Sequence, residues 1–252
     1  MDERIVENLR KVYNEENPSE KPILPGKSVW KTIQKRLKNK CENGRFECIM
    51  SSLMIKQQAP DSWEKNPEEW LSSDDIDEVE KEYMRLIPNY YYQGSVPMDF
   101  DKKSNIGKCL VDSLCSMNLV DIYNKKYTQI GIVINTDVST GKGQHWISVF
   151  CDIRPELEYP RFTYFDSYAH SPEPEIKRLM ARWKEQWDAT KIHKKPMKLT
   201  YNKTRHQYEN SECGMYCLYF HLCCLAGISM EERIPDAVIR SFRGVLFNVG
   251  KK

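Results

Sequence analysis

Four side chains in the C-terminal half have the types and the order that acyl transfer by a thiol requires: His145, Asp166, Gln207 and Cys213. Cys213 opens an apolar stretch directly after the polar loop 202–212. Backbone N–H groups at a helix N-terminus favour a thiolate, as does a neighbouring histidinium. The thiolate is the form that attacks an acyl carbon. His145, in Gln144-His145-Trp146, stands where a turn-rich loop enters an apolar strand. Histidine titrates nearest neutrality, so it suits the base that takes the thiol proton and returns it to a leaving amine. Asp166, in Tyr164-Phe165-Asp166-Ser167, closes a short apolar strand. From there a carboxylate can accept from one ring nitrogen and fix the tautomer. Gln207 lies six residues before Cys213, and its amide can donate to an oxyanion beside the Cys213 backbone N–H. One such donor is typically worth ~3 kcal/mol of barrier. Gly214 leaves room for a substrate to approach the thiol. Singly these residues are unremarkable, since a free cysteine is commonly a small buried hydrophobe and an aspartate often caps a helix. Their order, each at an element boundary, carries the signal.

The elements that must hold them follow from periodicity. Residues 127–134, 145–153, 162–165 and 196–201 read as strands, rich in β-branched and aromatic side chains. Helices are expected over 173–189, from Cys213 to before Gly227, and over 235–247. Upstream, helical spacing marks 2–13, 28–39, 45–57 and 74–87. Ser72, Ser73, Asp74 and Asp75 offer caps for the last of these. Pro18, Pro22, Pro25 and Gly26 make 14–27 a linker, and 88–100 reads as an extended entry into the core. The order is a helical N-terminal region, 1–69, followed by a catalytic domain, 70–252, with strands alternating with helices. The fold class expected is α+β.

Bulk properties fit that reading. The 252 residues carry 38 Lys+Arg against 36 Asp+Glu, a net +2, which excludes a global polyanion-binding field. No apolar run reaches the ~18 residues of a membrane span. The first twenty residues are charged throughout, so no cleaved secretory signal is expected. The nine cysteines are odd in number and irregular in spacing. They are expected as reduced thiols, with Cys41, Cys48, Cys109, Cys115 and Cys151 as packing residues. Cys217, His221 and Cys224 lie at helical spacing without C-x2-C pairs, so they are expected on a buried helix face and no metal is expected. Gly141-Lys142-Gly143 lacks the phosphate-loop spacing and reads as a flexible turn. His170, His193 and His206 have no partner readable from the sequence.

His145-Trp146, then Asp166 at a strand end, then Gln207, Cys213 and Gly214 before an apolar helix resemble the ubiquitin-like-protein protease family. That family includes the SUMO proteases and, more distantly, the adenovirus protease. Trp70-Leu71 is similar to its N-terminal Trp-Leu motif. Asn135-Thr136-Asp137, Ser139-Thr140-Gly141, Arg205-His206-Gln207, Arg233-Ile234 and Leu246-Phe247 resemble the branch from large DNA viruses that includes the African swine fever virus polyprotein protease. The likeness covers roughly residues 70–250. It implies a papain-like cysteine protease core of the adenain/SUMO-protease type, without cofactor, that cleaves after Gly-Gly in viral structural or core polyprotein precursors during virion maturation. It implies Cys213 as nucleophile, His145 as base, Asp166 as its orienting partner and Gln207 as oxyanion donor. Asn210, nearer the cysteine, is a second candidate for that last role. Trp146 is implied as part of a narrow substrate channel. The swine fever virus enzyme has asparagine at the third position, where Asp166 stands here. Host cytoplasm and virion are the implied locations.

Two rivals stand beside this reading. A deconjugase acting on host ubiquitin or SUMO would use the same chemistry on another Gly-Gly tail, and an inactive peptide-binding module would keep only the groove. The stretch 27–40 is basic and is read first as a solvated helix face, with contact to nucleic acid or a core protein as the functional alternative. No membrane partner is expected.

Overall fold

The computed structural model describes residues 2–248. Three helices open the chain: α1 (Glu3–Glu16), α2 (Val29–Arg36) and α3 (Phe46–Leu53). A two-residue strand, β1 (Gln57–Gln58), precedes α4 (Ser73–Leu86). Then come β2 (Tyr90–Pro97), the short helices α5 (Asp112–Cys115) and α6 (Leu119–Asn124), and the strands β3 (Gln129–Asn135), β4 (Trp146–Asp152) and β5 (Arg161–Phe165). The chain continues through α7 (Pro174–Thr190), β6 (Lys198–Tyr201), α8 (Cys213–Ala226), α9 (Asp236–Leu246) and β7 (Phe247–Asn248).

Local chemistry sets several boundaries. Ser72 accepts from Asp75 N while the Asp75 carboxylate accepts from Ser72 N, a reciprocal capping box that starts α4. Pro174 starts α7, where its missing N–H costs nothing. Gly227 ends α8 at φ +71°, a conformation that glycine adopts without the Cβ penalty. The expected helix 45–57 stops at Leu53 because Met54 is already extended.

The central sheet has the order β2-β3-β4-β5-β6. β3 and β4 run antiparallel, as do β4 and β5, while the outer pairs are parallel. Alternate residues serve two separate cores, as the two-residue period of a strand demands. Ile130, Ile132, Ile134, Ile147, Val149, Phe162 and Tyr164 meet α7 residues such as Trp183 and Trp187 on one face. Val133, Trp146, Phe150 and Phe165 meet α8 on the other. Both faces are covered, which is why β3 reads as an almost unbroken apolar run. α8 is apolar on nearly every side and is buried on nearly every side.

Ile5, Leu9, Ile33, Ile49 and Met50 of α1–α3 belong to the same core as α4, α8 and α9. β1 also pairs in parallel with β7, joining residues 57–58 to 247–248. The helices of residues 2–69 thus pack on the same core as α4, α8 and α9. Residues 249–252 of the expected catalytic domain lie outside the described residues.

Four cysteines depart from expectation. Cys41 and Cys48 form a disulfide with Cα atoms 5.7 Å apart, and Cys109 and Cys115 form another at 6.4 Å. Each pair closes a tight loop, which brings the Cα atoms within bridging range; separations of seven and six residues match no motif that would have announced them. Cys151, Cys213, Cys217, Cys223 and Cys224 are free thiols.

Candidate active site

The antiparallel pairing of β4 and β5 places the start of one strand beside the end of the other. His145 precedes β4 and Asp166 follows β5, so the two meet at one end of these paired strands. His145 Nε2 lies 2.7 Å from Asp166 Oδ1. That leaves Nδ1 for the thiol of Cys213, which stands at the first position of α8 and is buried. α8 packs against β4, and this contact brings the cysteine to the histidine.

Burial works against a charge on His145, but hydrogen bonds to Asp166 and to Cys213 outweigh it and raise its pKa to about 9. Asp166 shows the converse. Its burial favours the neutral acid, yet the His145 hydrogen bond and charge hold the carboxyl below its ordinary value. The carboxylate is fully engaged. Oδ1 also accepts from Tyr168 N at 2.9 Å, and Oδ2 faces His170 Nδ1 at 2.9 Å. Asn202 brackets the Asp166 backbone, accepting its N–H at 2.9 Å and donating to its carbonyl at 2.7 Å.

Gln207 is buried beside this turn. Its Oε1 accepts from Ser167 Oγ at 2.6 Å and its Nε2 donates to Glu209 O at 2.7 Å. An amide NH₂ has two hydrogens, so one remains for a ligand. Asn210, the second candidate, is exposed. Glu212, just before Cys213, is buried, and burial pushes its carboxyl up against the pull of Arg243, whose Nε donates to it at 2.9 Å. This pair fixes the start of α8.

Trp146 is buried and donates from Nε1 to Leu71 O at 2.9 Å. Gly214 stands at the second position of α8, under Leu71 and Trp146. A Cβ there would sit 3.1 Å from Leu71 Cβ and 3.3 Å from Trp146 Cδ1. The glycine lets Leu71 and Trp146 pack down onto the start of α8. Beyond Trp146 runs a groove of about 650 Å³, lined by Trp70, Leu71, Leu110, Val138, Gly143 and others. The turn expected to be flexible is tied down. Asn135 Oδ1 accepts from Asp137 N and Gln144 N, and Asp137 Oδ2 accepts from Gly143 N.

Some contributors were not legible. Tyr168 lies with its ring centroid 4.8 Å from that of His145 and donates its hydroxyl to Glu209 O at 3.1 Å. It therefore touches the histidine, the Asp166 carboxylate and the carbonyl that also receives Gln207. Nothing marks it in the sequence except its place two residues after Asp166. Tyr168→Phe is expected to lower kcat/KM about fivefold, the effect of one ordinary hydrogen bond, and Tyr168→Ala to lower it further. Peptide turnover by the alanine variant within twofold of wild type would deny Tyr168 this positioning role. His170 has Asp166 as partner, His193 lies 2.9 Å from Leu157 O, and His206 accepts from Ile234 N at 3.1 Å. His221 and Cys217 are on a buried helix face as expected, and Cys224 is half-buried. His221 pairs with Glu80 at 2.6 Å.

With the geometry in place, comparison with known proteins decides the family. The profile described as the Ulp1 protease family, C-terminal catalytic domain, matches residues 118–247. The chain belongs to the Ulp1 protease family. Its matched span contains His145, Asp166, Gln207 and Cys213. A SUMO-1 cysteine protease of African swine fever virus is 37% identical over 123 residues, covering 47% of this chain and 44% of its own length. A thiol protease of Acanthamoeba polyphaga mimivirus is 29% identical over 187 residues, 71% of this chain and 57% of that one. The chain thus spans about half the length of the curated relatives it matches. The crystal structure of the swine fever virus protease superposes with a TM-score of 0.64 at 24% identity, over 87% of this chain and 91% of that one. The yeast Ulp1 protease domain, solved in complex with the SUMO ortholog SMT3, gives 0.50 at 16% identity over 88% and 94%. These likenesses show a shared Ulp1 fold of mixed helix and sheet.

Proposed function

We infer that this chain is a cysteine endopeptidase that cleaves after Gly-Gly in structural or core polyprotein precursors of a large DNA virus, in the host cytoplasm and the maturing virion. The Cys213 thiolate attacks the glycine carbonyl. The backbone N–H of Cys213 and the second amide hydrogen of Gln207 stabilise the oxyanion. His145 gives its proton to the leaving amine, Asp166 holds the ring in place, and water then releases the acyl-enzyme.

The observation that carries this reading is the triple contact of Gly214, Leu71 and Trp146 at the start of α8. Side chains that close over the residue beside the thiol favour a substrate that has none at the cleavage point. The His145–Asp166 bond of 2.7 Å supports catalysis over mere peptide binding.

Purified protein should be given a Gly-Gly-X peptide, its Gly-Ala-X and Ala-Gly-X counterparts, and ubiquitin and SUMO precursors. Cleavage of the Gly-Gly peptide at least ~100-fold faster than of the alanine peptides supports the reading, since a clash with one added methyl costs of order 2–3 kcal/mol in a tight site. Equal rates on all three peptides would sink it. Cleavage of the ubiquitin-like precursors alone would move the assignment to the deconjugase.

A further inference from the structure

We propose that the surface formed by residues 27–40 is a sequence-independent docking site for nucleic acid. Six of the chain's 38 basic residues fall in these fourteen positions, Lys27, Lys31, Lys35, Arg36, Lys38 and Lys40, and none of its 36 acidic ones does. The five lysines are exposed. Among the described residues only Arg36 of the six has a carboxylate partner, Glu20 at 3.2 Å. Five ammonium groups within fourteen residues are therefore without an ion-pair partner among the described residues, in a chain that is otherwise slightly acidic. Like charges gathered this way repel one another and lower stability slightly. A ligand that supplies the opposite charge relieves that cost.

The geometry suits a phosphate backbone. Lys31 and Lys35 are one helical turn apart on α2, about 6 Å along its axis. Alternate phosphates of one DNA strand are separated by about 7 Å along the duplex. Lys27 and Lys38 flank the helix in sequence on either side. The side chains are point charges without the forked donors that read base edges, so binding is to the backbone and not to sequence. A lipid surface fits less well. The apolar side of this stretch, Val29, Ile33 and Leu37, is buried in the core, and Trp30 packs against Phe46 at 6.2 Å. Among the described residues 20–40 Leu24 is the one exposed large apolar side chain, too little to anchor in a bilayer. A protease held this way on packaged genome would meet the core proteins that lie on the same polymer.

The test is fluorescence anisotropy of the full chain with a labelled 20-bp duplex of arbitrary sequence, from 50 to 200 mM NaCl. Neutralising about five phosphates should give a log–log slope near −4.5, a loss of roughly 500-fold across that range. The variant Lys31→Glu/Lys35→Glu/Lys38→Glu should bind at least tenfold more weakly at 100 mM, with a slope smaller by about 3. Its circular dichroism and its rate on a short peptide should match wild type, since none of the three lysines touches the site described above. Absence of binding at 50 mM overturns the proposal, as does a triple variant that keeps wild-type affinity and slope. Binding to phosphatidylserine vesicles or to polyglutamate as tight as to DNA would also overturn it, because the surface would then be a general anion sink.

Discussion

Cys213→Ala should fold normally and show no cleavage above background, while His145→Ala should lose about 10⁴-fold or more in kcat/KM and Asp166→Ala about 10³-fold. The grading follows from what each residue touches. Without the cysteine there is no nucleophile. Without the histidine the thiol has neither a base nor a proton donor for the leaving amine. Without Asp166 the ring keeps its chemistry but loses the 2.7 Å hydrogen bond that fixes its tautomer. The pH dependence carries the same information. The His145 pKa is about 9 against an ordinary 6.5, because hydrogen bonds to Asp166 and Cys213 overcome the effect of burial. A raised pKa means that the folded state holds this proton more tightly than the unfolded chain. The associated stability, roughly 3 kcal/mol, is fully present below pH 6.5 and is lost as pH rises from 6.5 through about 9. Activity should fall over the alkaline part of the same window as the imidazolium loses its proton. In Asp166→Ala both transitions should move to lower pH. An Asp166→Ala enzyme with turnover within threefold of wild type and an unmoved alkaline limb would contradict the arrangement.

Glu80→Ala should be the costliest substitution outside the site, destabilising the fold by about 3–5 kcal/mol. Glu80 and His221 are both fully buried, 2.6 Å apart. Tyr90 donates its hydroxyl to the other carboxylate oxygen at 2.7 Å, and His221 Nε2 lies 3.2 Å from Val149 O. One cluster thereby ties α4, β2 and β4 to α8, the helix that begins with Cys213. Deleting the carboxylate leaves the tyrosine hydroxyl and the imidazole nitrogen with only each other, 3.2 Å apart in the core, and each bond lost to the acid costs about 1–3 kcal/mol. The packing leaves no room to compensate, since even a methyl group at Gly131 would overlap the Tyr90 hydroxyl. Urea unfolding should show a lower midpoint at unchanged slope. Glu80→Gln, which keeps an acceptor, should cost less. A loss below 1 kcal/mol for the alanine variant would mean that water enters and replaces the carboxylate.

Local features were readable because they rest on local physics. The strands β3, β4 and β5 and the helices α4, α7 and α8 fall within a few residues of where periodicity and caps put them. Their ends delivered His145, Asp166 and Cys213 to one place. What stayed hidden depends on contacts between distant segments. Glu80 and His221 are 141 residues apart and look like one more acid and one more helix-face histidine. The tight packing of Leu71 and Trp146 explains Gly214 only once α8 and β4 are in contact. α5 and α6, of four and six residues, are too short to leave a periodic trace. Cys48 and Cys115 sit on the short helices α3 and α5, but their partners Cys41 and Cys109 lie in connectors, where spacing carries no register. β6 was legible as a strand although all four of its residues are exposed, because its β-forming side chains sit on a sheet edge.

The most direct test of the central claim is intact-mass labelling with a peptide vinyl sulfone ending in Gly-Gly, applied to wild type, Cys213→Ala and His145→Ala. One adduct, mapped to Cys213 in wild type and absent from both variants, is the predicted result. Labelling at Cys217, Cys223 or Cys224, or undiminished labelling of Cys213 without His145, would contradict a catalytic pair of Cys213 and His145.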